Sequence, residues 1–174
     1  MNKLVLISGC SGGGKSTLLA ELGKRGHSIV AEPGRRIIAE QTSPTAAELP
    51  WVDMTAFARR AIEMALSDLS DADQQGGLVF FDRGVVDAAV ALEHSSGIAY
   101  SKTLGKKRHY FQTVFLTPPW LEIFSQDKDR RHDFSAAIEE FERLEMAFGK
   151  LGYKVCLLPK ASPSLRANFV LNTL

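Results

Sequence analysis

Cysteine is scarce: Cys10 and Cys156 are the only two in 174 residues. Two thiols that far apart, one in a glycine-rich stretch and one in an apolar run, suit neither a disulfide framework nor a metal site. Reduced thiols and a cytoplasmic setting are therefore expected. Long hydrophobic runs are also missing. None approaches the length that crosses a bilayer, and no signal peptide is expected ahead of the first apolar run. An excess of one charge is lacking too: 21 Lys and Arg face 20 Asp and Glu, for a net +1. Mixed charge of this kind marks neither a nucleic-acid surface nor a membrane surface. The short run Lys106-Lys107-Arg108-His109 reads as a solvated turn. With no repeat and no linker, residues 1–174 read as a single domain, large enough to bury a core without staples.

What is abundant is glycine near the amino terminus. Gly9-Cys10-Ser11-Gly12-Gly13-Gly14-Lys15-Ser16 fits G-x-x-x-x-G-K-[ST], the phosphate-binding loop. Glycines let backbone N–H groups converge on a phosphate because no Cβ blocks the approach. The reading assigns Mg·ATP to Gly9, Ser11, Gly12, Gly13, Gly14, Lys15, Ser16 and Thr17. Lys15 would reach the β- and γ-phosphates and Ser16 would hold Mg²⁺. The context agrees: Leu4-Val5-Leu6-Ile7 reads as a buried strand before the loop, and Ser16 to Leu22 as a helix after it, ended by Gly23 and Gly26.

The rest of the chain alternates in the same way. Strands are expected at Ser28 to Ala31, Leu78 to Phe81, Gln112 to Leu116 and Tyr153 to Leu158. Helices are expected from Arg35 to Gln41, after an Asp53 cap, from Val85 to His94, around Tyr100 to Leu104 and Trp120 to Ser125, through Ile138 to Leu151, and after Ser162-Pro163. Leu165, Phe169 and Leu171 or Val170 are expected to dock the last helix. The stretch from Thr42 to Pro50 reads as a connection. The pattern predicts an α/β three-layer sandwich of the P-loop NTPase kind, with a five-stranded parallel sheet. Ligands in such folds bind beyond the carboxyl ends of the strands.

Three places on that rim carry chemistry. Asp82 ends an apolar strand, where a Walker B acid would hold Mg²⁺ with Ser16; a helix cap is its bland alternative. Arg83 follows it. A ring-forming AAA+ ATPase usually has a water-activating glutamate there, so Arg83 argues for a site that manages a second anion or an acceptor. Glu32 ends the second strand, held in extended backbone by Pro33, and would serve as base toward an acceptor hydroxyl. Either Arg35 or Arg36 would pair with Glu32 or the acceptor. Between two helices, Asp127 to Asp133 is dense in charge. Arg130 and Arg131 would reach the transferring phosphate from a lid at about 120–134, or else the run is simply solvated. Trp51, Phe57 and Arg60 are candidates for an acceptor pocket, with helix packing the simpler role for the aromatics. Asp87 has no assigned role.

These motifs carry a resemblance. Gly9 to Thr17, Glu32-Pro33-Gly34-Arg35-Arg36-Ile37-Ile38, Phe80-Phe81-Asp82-Arg83-Gly84 with Asp87, Phe115-Leu116-Thr117-Pro118-Pro119-Trp120 and Gly152-Tyr153 to Pro159 look like the small bacterial AAA-domain predicted ATPases of the nicotinamide-riboside-kinase-like group. The likeness runs over nearly the whole chain and implies a nucleoside/nucleotide-kinase-like fold. A wider resemblance is to deoxynucleoside and thymidylate kinases. It implies that Glu32 is the base on the acceptor hydroxyl, that Asp82-Arg83 matches their third-strand acid-arginine pair, and that Lys128 to Arg131 matches their arginine-bearing lid. The sequence departs at Gly84, where a serine is common, and in lacking counterparts of the base-recognition residues.

The expected activity is transfer of the γ-phosphate of Mg·ATP to a small acceptor such as a nucleoside or nucleotide. The partner is then a small-molecule phosphate acceptor, with no nucleic acid and no membrane; a homodimer is left open. The rival class is a nucleotide-dependent regulatory ATPase with a protein partner and no acceptor. ATP is expected over GTP, because no Asn-Lys-x-Asp stretch occurs.

Overall fold

Apolar side chains along the central strands point alternately to two faces, and each face has its own helices. The structure, a computed structural model, describes residues 3–125 and 133–174. Five strands, β1 (Lys3–Gly9), β2 (Ser28–Val30), β3 (Leu78–Asp82), β4 (Thr113–Thr117) and β5 (Lys154–Leu157), form one sheet in the order β2-β3-β1-β4-β5. All four pairings are parallel. Val5, Ile7, Phe80 and Phe115 pack on α1 (Lys15–Lys24) and α7 (Pro163–Thr173) through Leu18, Leu19, Leu22, Ala167 and Val170. Leu6, Val79, Phe81, Val114 and Leu116 face the other way. They meet α3 (Met54–Gln75), α4 (Val85–Ser96) and α6 (Phe134–Lys150) through Ala65, Leu69, Val86, Ala89, Leu144 and Phe148. That makes the three layers expected of strands buried on both faces.

The chain leaves β1 to one side for β2 and β3, then crosses to the other for β4 and β5. The central strand β1 is therefore the switch point, and the loop after it opens into the crevice. Around that crevice lie α2 (Pro33–Glu40) and a 3₁₀ turn at Leu121–Ile123, while the short α5 (Tyr100–Leu104) packs against α4.

Several expectations shift in detail. Helix α1 runs through Gly23, and the chain turns only at Gly26, whose φ of 88° suits glycine. Asp53 caps α3, accepting from the Ala56 N–H at 3.0 Å. The buried stripe of α3 is made of Ala58, Ala61, Ala65, Leu69 and Ala72, while Met54 is exposed and Phe57 turns toward the crevice. Ser162 caps α7, and of the residues expected to dock it Val170 is buried and Leu171 packs against the core, while Leu165 and Phe169 are exposed and Arg166 and Ala167 complete the face. The reason is Arg166, which the helix turns inward toward the phosphate loop.

Candidate active site

The glycine-rich loop leaves β1 and enters α1. Gly9, Gly12 and Gly14 have φ values of 115°, 80° and 78°, a region costly for residues with a Cβ. At Gly13 space is the constraint: a Cβ there would lie 2.5 Å from Thr117 Oγ1 at the end of β4. The Thr117-Pro118-Pro119 turn is thus pressed against the loop. Lys15 is buried and its Nζ donates to the Cys10 carbonyl at 2.7 Å, curling back over the loop. Burial lowers its pKa and nearby Arg83 lowers it further, against the pull of Asp82, Glu32 and Glu140. Ser16 and Thr17 are exposed at the first turn of α1, and the Thr17 hydroxyl donates to the Gly14 carbonyl at 3.0 Å.

Asp82 is not a helix cap; α4 begins after Gly84. Its Oδ1 is buried with no hydrogen-bond partner. Burial pushes its pKa up to about 6, only partly opposed by Lys15. A buried carboxylate oxygen without a donor is what a cation would satisfy. Among the described residues no three His, Cys, Asp or Glu side chains cluster as a metal site. Magnesium bound with a nucleotide asks for less, since one or two protein oxygens and the phosphates suffice. Asp82 and Ser16 fit that requirement.

Arg83 is the hub. It adopts a left-handed backbone, φ 59°, uncommon for a residue with a Cβ. Its N–H bonds the Ile7 carbonyl at 3.0 Å, and its guanidinium meets Glu32 at 3.4 Å, Asp87 at 3.7 Å and Glu140 at 2.8 Å. Burial works against its charge, but Glu140, Glu32 and Asp87 outweigh it and hold the pKa above the ordinary arginine value. Asp87 is itself fixed: one oxygen accepts from the Ser8 hydroxyl, the other from the Gly84 N–H at 3.1 Å. Burial raises its pKa, with Arg83 acting the other way.

Glu32 stands at the head of α2 with ψ 122°, the extended geometry imposed by Pro33. Its carboxylate faces Arg83, and Arg35 lies 3.6 Å away. Arg36 instead points across to Asp68 on α3. Phe57 reaches the crevice, with its ring end 2.9 Å from where a Gly34 Cβ would stand. Trp51 is 36% exposed and lines neither cavity described below, and Arg60 pairs with Glu40 and Glu63 at 3.7 and 3.5 Å. Arg130 and Arg131 lie outside the described residues.

Gly84 has a spatial explanation. Its backbone is extended, but a Cβ would come within 2.7 Å of Tyr110 Cζ. The Tyr110 hydroxyl fills the place of a side chain and accepts the Val85 N–H at 3.0 Å.

Two residues escaped the sequence reading. Glu140, on α6, accepts the Ser11 N–H of the phosphate loop at 3.0 Å as well as pairing with Arg83. Burial would raise its pKa, but Arg83 and Lys15 outweigh that and hold it below the usual range. Arg166, on α7, donates to the Gly14 and Gly13 carbonyls at 2.9 and 3.1 Å, with its guanidinium 5.9 Å from the Trp120 ring centre. Glu140 sits in a helix dense with glutamate, so nothing in sequence singles it out. Arg166 carried one signal, an arginine within the expected apolar docking stripe of α7.

Two cavities open here. One, of about 580 Å³, lies over Gly12 to Thr17 and reaches Trp120, Ser162 and Arg166. The other, of about 440 Å³, lies between α2, α3, α4 and α6. Ser11, Glu32, Arg35 and Arg83 line both.

The loop, the parallel sheet with its β2-β3-β1-β4-β5 order and the acid-arginine pair ending β3 define a P-loop protein of the nucleoside/nucleotide-kinase-like fold. The AAA domain family AAA_28 matches residues 4–166, so the chain belongs to that family. No curated protein sequence matches it significantly. Among solved structures it is similar to deoxyadenosine kinase from M. mycoides with bound dATP, at 17% identity and TM-score 0.58, covering 98% of each chain. It is similar to thymidylate kinase from Ehrlichia chaffeensis at 15% identity and TM-score 0.57, covering 98% of this chain and 97% of that one. It is also similar to the NadR protein in complex with NR, at 18% identity and TM-score 0.65; 98% of this chain aligns with 50% of that chain. No described helix is long and apolar enough to cross a membrane.

Proposed function

We propose that the protein is a small-molecule kinase that moves the γ-phosphate of Mg·ATP to a small acceptor. The observation that carries the reading is the meeting of two cavities at Ser11, Glu32 and Arg83. One cavity covers the phosphate loop and the other approaches the same point from the α2–α3 side. Phosphoryl transfer needs donor and acceptor in line, and little covalent chemistry from the protein.

In this reading the loop amides and Lys15 hold the phosphates, from Gly9 through Thr17. Asp82 and Ser16 hold magnesium, which would neutralise charge on the phosphate oxygens. Glu32, at the junction, orients the acceptor hydroxyl and takes its proton. Arg83, and Arg130 and Arg131 from a lid at about 120–134, balance the negative charge that spreads in transfer. Residues 1–174 would act as one kinase domain. The rival, a regulatory ATPase with no acceptor, rests on the sequence offering no evident acceptor pocket; the 440 Å³ cavity weighs against it.

The test is ADP release with Mg·ATP across a panel of nucleosides, nucleotides and small vitamins, with Lys15→Ala as the blank. Acceptor-dependent release with a phosphorylated product supports the reading. Slow hydrolysis untouched by any acceptor returns the protein to the switch class.

A further inference from the structure

Resting on the reading of the glycine-rich loop as a triphosphate site, we infer that Glu140 is a built-in stand-in for the terminal phosphate. A bound triphosphate displaces its carboxylate toward the α2–α3 cavity, whereas a diphosphate leaves it in place. Glu140 thereby sets the preference between triphosphate and diphosphate, and its movement reports the γ-phosphate to the acceptor side.

The two oxygens of Glu140 are used separately. Oε2 accepts the Ser11 N–H at 3.0 Å, and Oε1 meets Arg83 Nη1 at 2.8 Å. One anion thus bridges a loop amide and a guanidinium, as a phosphate does. Lys15 feels the same charge: burial works to raise the Glu140 pKa, but Arg83 and Lys15 together hold it below the usual range. Amide, guanidinium and ammonium are the three groups that the kinase reading gives to the transferring phosphate. Place agrees with chemistry. The amides at the start of α1, around Gly14 to Ser16, suit the β-phosphate at a helix N-terminus. Ser11 lies at the other end of the loop, and with Glu32 and Arg83 it lines both cavities, where a terminal phosphate faces an acceptor. A backbone N–H is a single donor, and two anions in contact repel where water screens them weakly. Glu140 and a terminal phosphate therefore exclude one another from these donors.

Glu140 has somewhere to go. Its side chain is 27% exposed, and it lines the 440 Å³ cavity but not the one over the loop. Rotation about its own side-chain bonds carries the carboxylate away from Ser11 into that space. Arg143, three residues along α6, lines the same cavity and offers the displaced carboxylate a cation. The neighbouring acid is not mobile in this way, because the Ser8 hydroxyl and the Gly84 N–H hold both oxygens of Asp87. Arg83 keeps its place without Glu140. Its N–H still bonds the Ile7 carbonyl, and Glu32 and Asp87 still face it at 3.4 and 3.7 Å. The Nη1 that Glu140 held is then available to a phosphate oxygen.

The experiment is calorimetric titration of the full chain with ADP and with the non-hydrolysable imido analogue of ATP, in Mg²⁺ and without acceptor. For wild type the two affinities should lie within about threefold, because displacing Glu140 offsets what the γ-phosphate gains. Glu140→Gln keeps the size and an acceptor oxygen for the Ser11 N–H but removes the charge. It should bind the analogue roughly tenfold tighter, with ADP changed by less than about twofold. A residue that merely braces the loop would shift both nucleotides together. An equal change in both, or weaker binding of the analogue, would therefore overturn the inference. So would wild type already binding the analogue more than about tenfold tighter than ADP, a result that does not depend on any variant folding. Since no acceptor is present, failure to find one would leave this inference standing. Binding of neither nucleotide by wild type would remove the reading of the loop itself, and this inference with it.

Discussion

Replacing Asp82 with asparagine should stabilise the metal-free protein and at the same time abolish its response to magnesium and nucleotide. Asp82 is buried and its Oδ1 has no hydrogen-bond partner. Its pKa is raised from the ordinary 3.8 to about 6, burial being the main cause. The sign follows from which state binds the proton more tightly. The folded state does, so Asp82 favours folding when protonated, below about pH 4. That advantage is lost as pH rises through about 6. At pH 8 the ionised side chain therefore disfavours the fold by about 3 kcal/mol. Asparagine removes that penalty, which is already net of the attraction between the carboxylate and the Lys15 ammonium. The gain should be up to about 3 kcal/mol, or up to about 10 °C in Tm for a chain of this size. Differential scanning fluorimetry in EDTA measures it directly. The gap between variant and wild type should be full at pH 8, shrink to about half by pH 5, and close below about pH 4. Addition of Mg·ATP should raise the wild-type Tm well above that of the variant. A variant less stable than wild type in EDTA at pH 8, or a gap that grows on acidification, would refute the reasoning.

Other perturbations test neighbouring parts. Glu32→Gln should keep ATP binding, read by thermal shift, and lower acceptor-dependent turnover by about 10²–10⁴-fold; full turnover would take Glu32 out of the chemistry. Arg166→Leu removes two donors to the Gly13 and Gly14 carbonyls. It should raise KM for ATP roughly tenfold with kcat little changed, and Arg166→Lys should recover part of the loss. An unchanged KM would mean that the loop holds its shape without it. Gly84→Ala drives a Cβ into Tyr110 and should cost about 1–3 kcal/mol in urea unfolding. Partial recovery in Gly84→Ala/Tyr110→Phe would confirm the contact.

Much of this was legible in the chain itself, for a physical reason that differs by element. The phosphate loop is local: its φ requirements and its lysine fall within eight consecutive residues, so spacing alone reveals it. The strands were legible because burial on both faces makes them continuous apolar runs, and Glu32 because proline dictates the backbone before it. The docking face of α7 is legible only in part: Val170 and Leu171 pack as expected, but Leu165 and Phe169 are exposed, because Arg166, with a buried task, takes the inward place beside Ala167.

What the amino-acid order determined alone is the set of local shapes: a loop that bends toward phosphate, strands that must be covered twice, acids and arginines at strand ends. What only the tertiary structure decided is which of those charges share a space. Glu140 lies 129 residues from Ser11 and Arg166 lies 153 from Gly13, yet each is bonded to the phosphate loop. Strand order and helix rotation set such distances. Neither is written in any short stretch, because both come from packing two buried faces at once.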